Sequence, residues 1–120
     1  MPLSRIILYA KDMEQTIAFY ERHFGYKALR DKNDRIVELA AADGGANLMI
    51  HQAGRAQKAG QSQMKLVFDV EDVEAFCAEC AKHGLVFSAL HKAEGYVFAN
   101  ARDPDKNPIS VSSRAFRLSR

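Results

Sequence analysis

Two stretches of the chain carry the same pattern of apolar and polar positions. Residues 5–25 read RIILYAKDMEQTIAFYERHFG, and residues 65–84 read KLVFDVEDVEAFCAECAKHG. Laid over each other, Arg5 meets Lys65, Ile6 meets Leu66, Leu8 meets Phe68, Ala10 meets Val70, Asp12 meets Asp72 and Glu14 meets Glu74. Such self-similarity marks a duplicated unit. Each copy opens with a short apolar run rich in β-branched residues, which predicts a strand, and then changes to a spacing of three and four, which predicts a helix. Met13, Ile17, Tyr20 and Phe24 share one helical stripe; Val73, Cys77 and Cys80 share the equivalent one, with Phe76 beside them. Asp12 and Asp72 stand where a carboxylate accepts the unpaired N–H groups of a first helical turn. Gln15 completes a capping-box spacing with Asp12. Gly25 and Gly84 close the helices, because glycine tolerates the left-handed conformation at that point.

Three shorter strand-like runs follow each helix: residues 26–30, 35–41 and 46–51 in the first copy, and 86–91, 96–101 and 108–112 in the second. Polar turns separate them, DKND at 31–34, DGG at 43–45 and DPDKN at 103–107. The order is βαβββ twice. That predicts an α+β fold of two βαβββ modules, forming a cupped mixed sheet with helices on the outer face. We read one domain, with module one at about 4–51, a polar connector at 52–63 (QAGRAQKAGQSQ) and module two at about 64–113. The arginine-rich tail, 114–120, reads as a frayed end, with a docking segment for a second subunit as the alternative.

Composition narrows the function classes. The chain has 120 residues, 48% hydrophobic and 27% charged, the balance of a globular domain. Seventeen basic against fifteen acidic side chains leave +2, too small and too evenly spread for a nucleic-acid or polybasic membrane surface. No apolar run reaches the roughly 20 residues that cross a bilayer. The N-terminal segment lacks the apolar core of a signal peptide, so a cytoplasmic location is expected.

Cys77 and Cys80 form a CxxC, but no second pair of ligands exists to complete a zinc site. Their place on the helical stripe predicts reduced core thiols. His23 and His83 fall near helix ends and His91 in a short strand, where surface or structural roles are expected. No GxSxG, HExxH or phosphate-binding glycine loop occurs.

The duplicated βαβββ unit, with LYAKDMEQTIAFYERHFGY in the first copy and ARDPDKNPISV ending the second, resembles the vicinal oxygen chelate superfamily. That group contains glyoxalase I, extradiol dioxygenases, fosfomycin-resistance enzymes and bleomycin-resistance proteins, and the resemblance spans about residues 4–113. It implies two modules whose sheets form a cup around a ligand, commonly in a homodimer. It also implies a glycine where the DPDKN turn has Lys106, at a position that favours positive φ. In metal-dependent relatives, His, Gln or Glu ligands come from the first and last strands of each module. Carried over, those positions fall on Arg5, Met49, Lys65 and Ser110. Arginine and lysine stay protonated and offer no lone pair to a divalent ion, so no metal and no cofactor are expected. A displaced set of His51, Asp69 and Glu38 is the alternative.

On this alignment the cup carries Arg5, Ile7, Tyr9, Met49, His51, Lys65, Val67, Asp69, Ser110 and Ser112, a part-apolar, part-polar lining. Two cations buried there need neutralising, either by a carboxylate such as Asp69 or Glu38 or by an anionic ligand. The expectation is a metal-independent small-molecule-binding protein, with Arg5, Tyr9, Met49, His51, Lys65, Asp69 and Ser110 as ligand-binding residues. Tyr9, Tyr96 and Phe98 are the aromatics available for stacking. A glyoxalase-like lyase or isomerase with a displaced or absent metal site is the alternative, with a protein-interaction module as a third reading. No catalytic residue is assigned.

Overall fold

The computed structural model describes residues 1–117, and the chain divides into two compact units, Met1–Lys58 and a second beginning at Ala59. The first contains β1 (Arg5–Ala10), α1 (Met13–Phe24), β2 (Lys27–Leu29), β3 (Val37–Ala40) and β4 (Asn47–Gln52). The second contains β5 (Leu66–Asp69), α2 (Val73–Lys82), β6 (His91–Ala93), β7 (Tyr96–Arg102) and β8 (Pro108–Ser112), followed by a 3-10 turn at Arg114–Phe116. Each unit builds its own four-stranded mixed sheet, ordered β1-β4-β3-β2 and β5-β8-β7-β6. In both, the first strand runs parallel to the last and the other pairs are antiparallel. The fold is α+β, two βαβββ modules, as the duplication implies.

Strand alternation decides which face each helix covers. In β1, Leu8 and Ala10 are buried while Arg5, Ile7 and Tyr9 are exposed. Leu48 and Ile50 of β4 add to the same buried face, where α1 packs through Ile17 and Tyr20. In the second unit α2 lies against β7, with Val73 and Cys80 buried beside Ala99, Ile109 and Val111. Asp12 Oδ1 accepts the Gln15 N–H at 3.2 Å and Asp72 Oδ1 accepts the Ala75 N–H at 3.0 Å, so both predicted caps are made. Gly25 ends α1 at φ 71°.

Several boundaries differ from the sequence reading. β3 starts at Val37 rather than residue 35, because the Asp34 carboxylate takes the Ile36 N–H at 2.9 Å and holds that segment in a turn. β4 continues through Gln52, whose side-chain amide donates to the carbonyls of Ala10 and Lys11. The connector therefore begins one residue later than expected, and the division between the units falls within it. Residues 86–90 do not form a strand. The Ser88 N–H reaches the Asn100 carbonyl at 2.8 Å, but the Asn100 N–H returns to the Ser88 hydroxyl at 3.0 Å, so a side chain replaces the carbonyl that a ladder needs. The edge strand forms instead at β6, fixed by a two-residue turn, Glu94-Gly95, between the paired Ala93 and Tyr96, with Gly95 at φ 79°.

The tail is not frayed through Arg117. Its guanidinium and that of Arg114 lie 5.9 and 5.2 Å from the Tyr96 ring centroid. The remainder of the predicted tail, 118–120, lies outside the described residues. Among the described residues no helix is long and apolar enough to cross a membrane.

Candidate ligand-binding site

The face of the first sheet opposite α1 carries Arg5, Ile7 and Tyr9, whose cross-strand partners are Asn47, Met49 and His51. Glu38 of β3 pairs with Met49 and joins the same face. Its Oε2 accepts from Arg5 Nε at 3.2 Å and from Asn47 Nδ2 at 2.7 Å. Asn47 is in turn fixed by the Ala41 N–H, which donates to Oδ1 at 3.0 Å. The charge on Arg5 is thus met inside its own module, as the ion-pair reading expects. It is not buried, however: its side chain is 58% exposed, so the expected penalty for a buried cation does not arise. Tyr9 and His51 stand together, ring centroids 5.2 Å apart. His51 Nδ1 lies 2.9 Å from the Gln52 carbonyl, a contact that needs the proton on Nδ1.

On the second sheet, register places Val67 and Asp69 beside Ser110 and Ser112, and Ser110 beside Asn100. Ser110 is 3% exposed. Its hydroxyl donates to the Ala99 carbonyl at 3.0 Å, so it is sunk into the sheet and already engaged. Lys65, just before β5, is exposed and donates from Nζ to Asn100 Oδ1 at 3.0 Å. Asn47 and Asn100, the residues that hold Glu38 and Lys65, were not singled out from the sequence. The signal available was strand alternation, which puts Asn47 on the face of Met49, two residues away; that Asn100 stands beside Ser110 comes from register.

The aromatics read as stacking candidates have partners of their own. Tyr96 lies under Arg114 and Arg117, and its hydroxyl accepts from Arg114 Nη1 at 3.0 Å. Phe98 is stacked on His91, centroids 5.0 Å apart and 21° between planes. Of the other histidines, His23 meets the Phe19 ring edge at 5.0 Å and His83 Nε2 sits 3.3 Å from Glu79.

The four positions to which the resemblance assigns metal ligands do not fit a divalent ion. Arg5 and Lys65 are cations engaged by Glu38 and Asn100, Ser110 donates to a carbonyl, and Met49 offers a thioether, a poor ligand for a hard ion. The displaced set fares no better, because Glu38 already holds two donors. Among the described residues no group of three His, Cys, Asp or Glu side chains is arranged to hold a metal.

Cys77 and Cys80 are free thiols on α2; Cys80 is buried, as the core reading expects, whereas Cys77 is only half-buried. Burial pushes Cys77 up; burial, with smaller contributions from Cys77 and Glu79, pushes Cys80 up to about 11. The thiolate is the reactive form, so at pH 8 only about one Cys80 in a thousand is nucleophilic. We expect Cys80 to react with Ellman's reagent only slowly in the native protein, and both thiols to react at once in denaturant. A raised native pKa favours the folded state below the unfolded value of about 8.5 and loses that contribution as pH rises towards 11. Rapid modification of both thiols in the native state would overturn the core assignment.

A family model described as Glyoxalase/Bleomycin resistance protein/Dioxygenase superfamily matches residues 3–111. No curated protein matches the sequence. Among solved structures, the chain is similar to TnmS3, an antibiotic binding protein from Streptomyces sp. CB03234, with 21% identity and a TM-score of 0.76, covering 92% of this chain and 93% of that one. It is similar to UcmS2 with 18% identity and a TM-score of 0.78, covering 94% and 98%. It is also similar to lactoylglutathione lyase from Agrobacterium tumefaciens, with 20% identity and a TM-score of 0.72, covering 92% of each. At these identities the likeness is one of fold.

Proposed function

Because the chain belongs to the glyoxalase/bleomycin resistance protein/dioxygenase superfamily, we propose that it is a metal-independent small-molecule-binding protein, cytoplasmic and homodimeric, whose ligand presents an anionic group to the sheet face. One observation carries the reading: all four ligand positions hold side chains that do not serve a divalent ion, and three of them are already hydrogen-bonded within their own module. An antibiotic binding protein among the fold's neighbours supports the small-molecule part. Of the two cations at former ligand positions, Arg5 is neutralised by Glu38, whereas Lys65 is held by the neutral amide of Asn100. Lys65 is therefore the one that retains an unmet positive charge for a ligand.

Elemental analysis of protein purified without chelator or a nickel column tests the metal-independent part, with thermal shift in zinc, manganese, nickel and magnesium. A site that binds metal adds about 2.7 kcal/mol at a hundredfold excess over Kd, several degrees in Tm. We expect far less than stoichiometric metal and no shift. Stoichiometric metal that EDTA removes and that raises Tm on return would overturn the proposal and restore the lyase or isomerase reading.

A further inference from the structure

We propose that the second unit carries an oxyanion site in which Lys65, Asn100 and Arg102 hold the carboxylate or phosphate of a small organic ligand, its carbon body resting on Pro108. The inference rests on the small-molecule reading above and names the residues and ligand chemistry.

The site follows from register. Leu66 pairs with Ile109, so Lys65 falls beside Pro108, and Pro108 pairs with Arg102. Lys65, Pro108 and Arg102 therefore form one cross-strand row, and Asn100 begins the next row on the same face. The two cations start about 10 Å apart at the backbone, two strand spacings, with only the short ring of Pro108 between them. What remains is an open depression of about 310 Å³ lined by Lys65, Asn100, Ala101, Arg102, Pro108 and Ile109. That volume is at the lower end of pockets that hold small molecules.

Its chemistry is one-sided. Lys65 gives one N–H to Asn100 Oδ1, which leaves two on the ammonium and turns the Asn100 amide to present its NH2 as a donor. Arg102 gives one N–H to the Lys106 carbonyl at 2.7 Å, which steadies the guanidinium while its other donors remain. Among the described residues no carboxylate lies within salt-bridge distance of either cation, whereas Arg5, Arg30 and Lys82 each have one. Donors and positive charge without an acceptor are complementary to an oxyanion, the strongest class of hydrogen-bond partner for both side chains.

The turn supports the same assignment. Lys106, whose carbonyl holds Arg102, sits at φ 66°, the one non-glycine residue with positive φ among those described. This is where the resemblance implied glycine. Strain at such a residue persists when surrounding structure imposes it. Here it aims a carbonyl at the guanidinium that faces the depression.

The test is a titration of the isotope-labelled full chain, read by amide NMR shifts, with inorganic phosphate, acetate, hexanoate and the uncharged hexanamide as probes. Phosphate and hexanoate should move the amides of Lys65, Asn100, Ala101, Arg102 and Ile109, and hexanamide should not. Hexanoate binding more tightly than acetate and phosphate marks a carboxylate with an apolar body; phosphate binding most tightly marks a phosphate ester. Lys65→Met and Arg102→Met, both at exposed positions, should each weaken binding about tenfold or more. Lys92→Met, a cation of the same module on the opposite sheet face, should leave it within about twofold. Undiminished binding in either site variant, or no shift with any anion, overturns the site. If hexanamide binds as well as hexanoate, the oxyanion site falls while the small-molecule reading stands. Stoichiometric metal would bring down that reading itself.

Discussion

Tyr20→Ala is expected to cost about 3–5 kcal/mol, the usual range for truncating a large buried aromatic. The ring is fully buried in the middle of α1. It meets Phe19 edge-on at 5.0 Å, Phe24 at 6.0 Å and Tyr26 edge-on at 6.2 Å, so its loss opens a cavity bounded by aromatics from both the helix and the turn that closes it. Those neighbours are tied to a helix and a capped turn, and they relax only in part. The backbone cap survives the substitution, because the Gly25 and Tyr26 N–H groups reach the Tyr20 carbonyl rather than its side chain. Against a total stability of about 5–15 kcal/mol for a domain this size, such a loss lowers Tm by more than about 10 °C. Urea denaturation measures it, with Tyr20→Phe keeping the ring and isolating the hydroxyl at about 1 kcal/mol. A loss below about 1.5 kcal/mol for the alanine variant would contradict the packing.

Asp103→Ala is expected to cost about 2–4 kcal/mol. Asp103 is 4% exposed. Its Oδ1 accepts the N–H groups of Asp105 at 2.9 Å and Asn107 at 2.8 Å, and Oδ2 accepts from Asn107 Nδ2 at 2.9 Å. The backbone closes the same turn through the Lys106 N–H on the Asp103 carbonyl and the Asp103 N–H on that of Asn107. Removing the carboxylate leaves three donors without their acceptor in a largely buried turn. Asp103→Asn keeps an acceptor for the two backbone N–H groups but sets one amide NH2 against another, so an intermediate loss is expected. Arg102 and Pro108 flank this turn, and the alanine variant should also weaken oxyanion binding at the depression through their placement. Denaturation together with the phosphate titration reads both effects. Stability and binding both unchanged would show that the turn is held without Asp103.

Much of this architecture is legible in the chain because it is written locally. Asp12 and Asp72 cap the helices that follow them, and Ile17, Tyr20, Val73 and Cys80 are buried where a 3.6-residue period puts them. Lys106 takes the positive φ that the family resemblance, rather than the local sequence, implies for its place in the DPDKN turn. Where the reading went astray, a polar side chain competed with the backbone. Ser88 displaces a ladder bond, and the edge strand forms instead at β6, across the two-residue Glu94-Gly95 turn. Asp34 shortened β3 in the same way.

The candidate site was legible as a set of positions but not as chemistry. Arg5, Ile7, Tyr9, Met49 and His51 share one face, as strand alternation requires, and so do Val67, Asp69, Ser110 and Ser112. Alternation carries no information on which side chain meets which across strands far apart in sequence. That Glu38 takes Arg5, that Asn100 takes Lys65, and that the Ser110 hydroxyl turns to the Ala99 carbonyl depend on register and on side-chain reach. The tail shows the same limit: a run of arginines reads as solvated, yet Arg114 and Arg117 lie against Tyr96, because an aromatic face attracts a guanidinium that comes within reach.

The sequence by itself determined the duplicated βαβββ order and the capped helices, because each is a property of residue type and of spacing along the chain. Only the tertiary structure decided that one of the two cations is already neutralised and the other is not, and that Arg102 stands across Pro108 from Lys65. Those facts depend on strand register, which is set by hydrogen bonds between segments that the chain brings together only on folding.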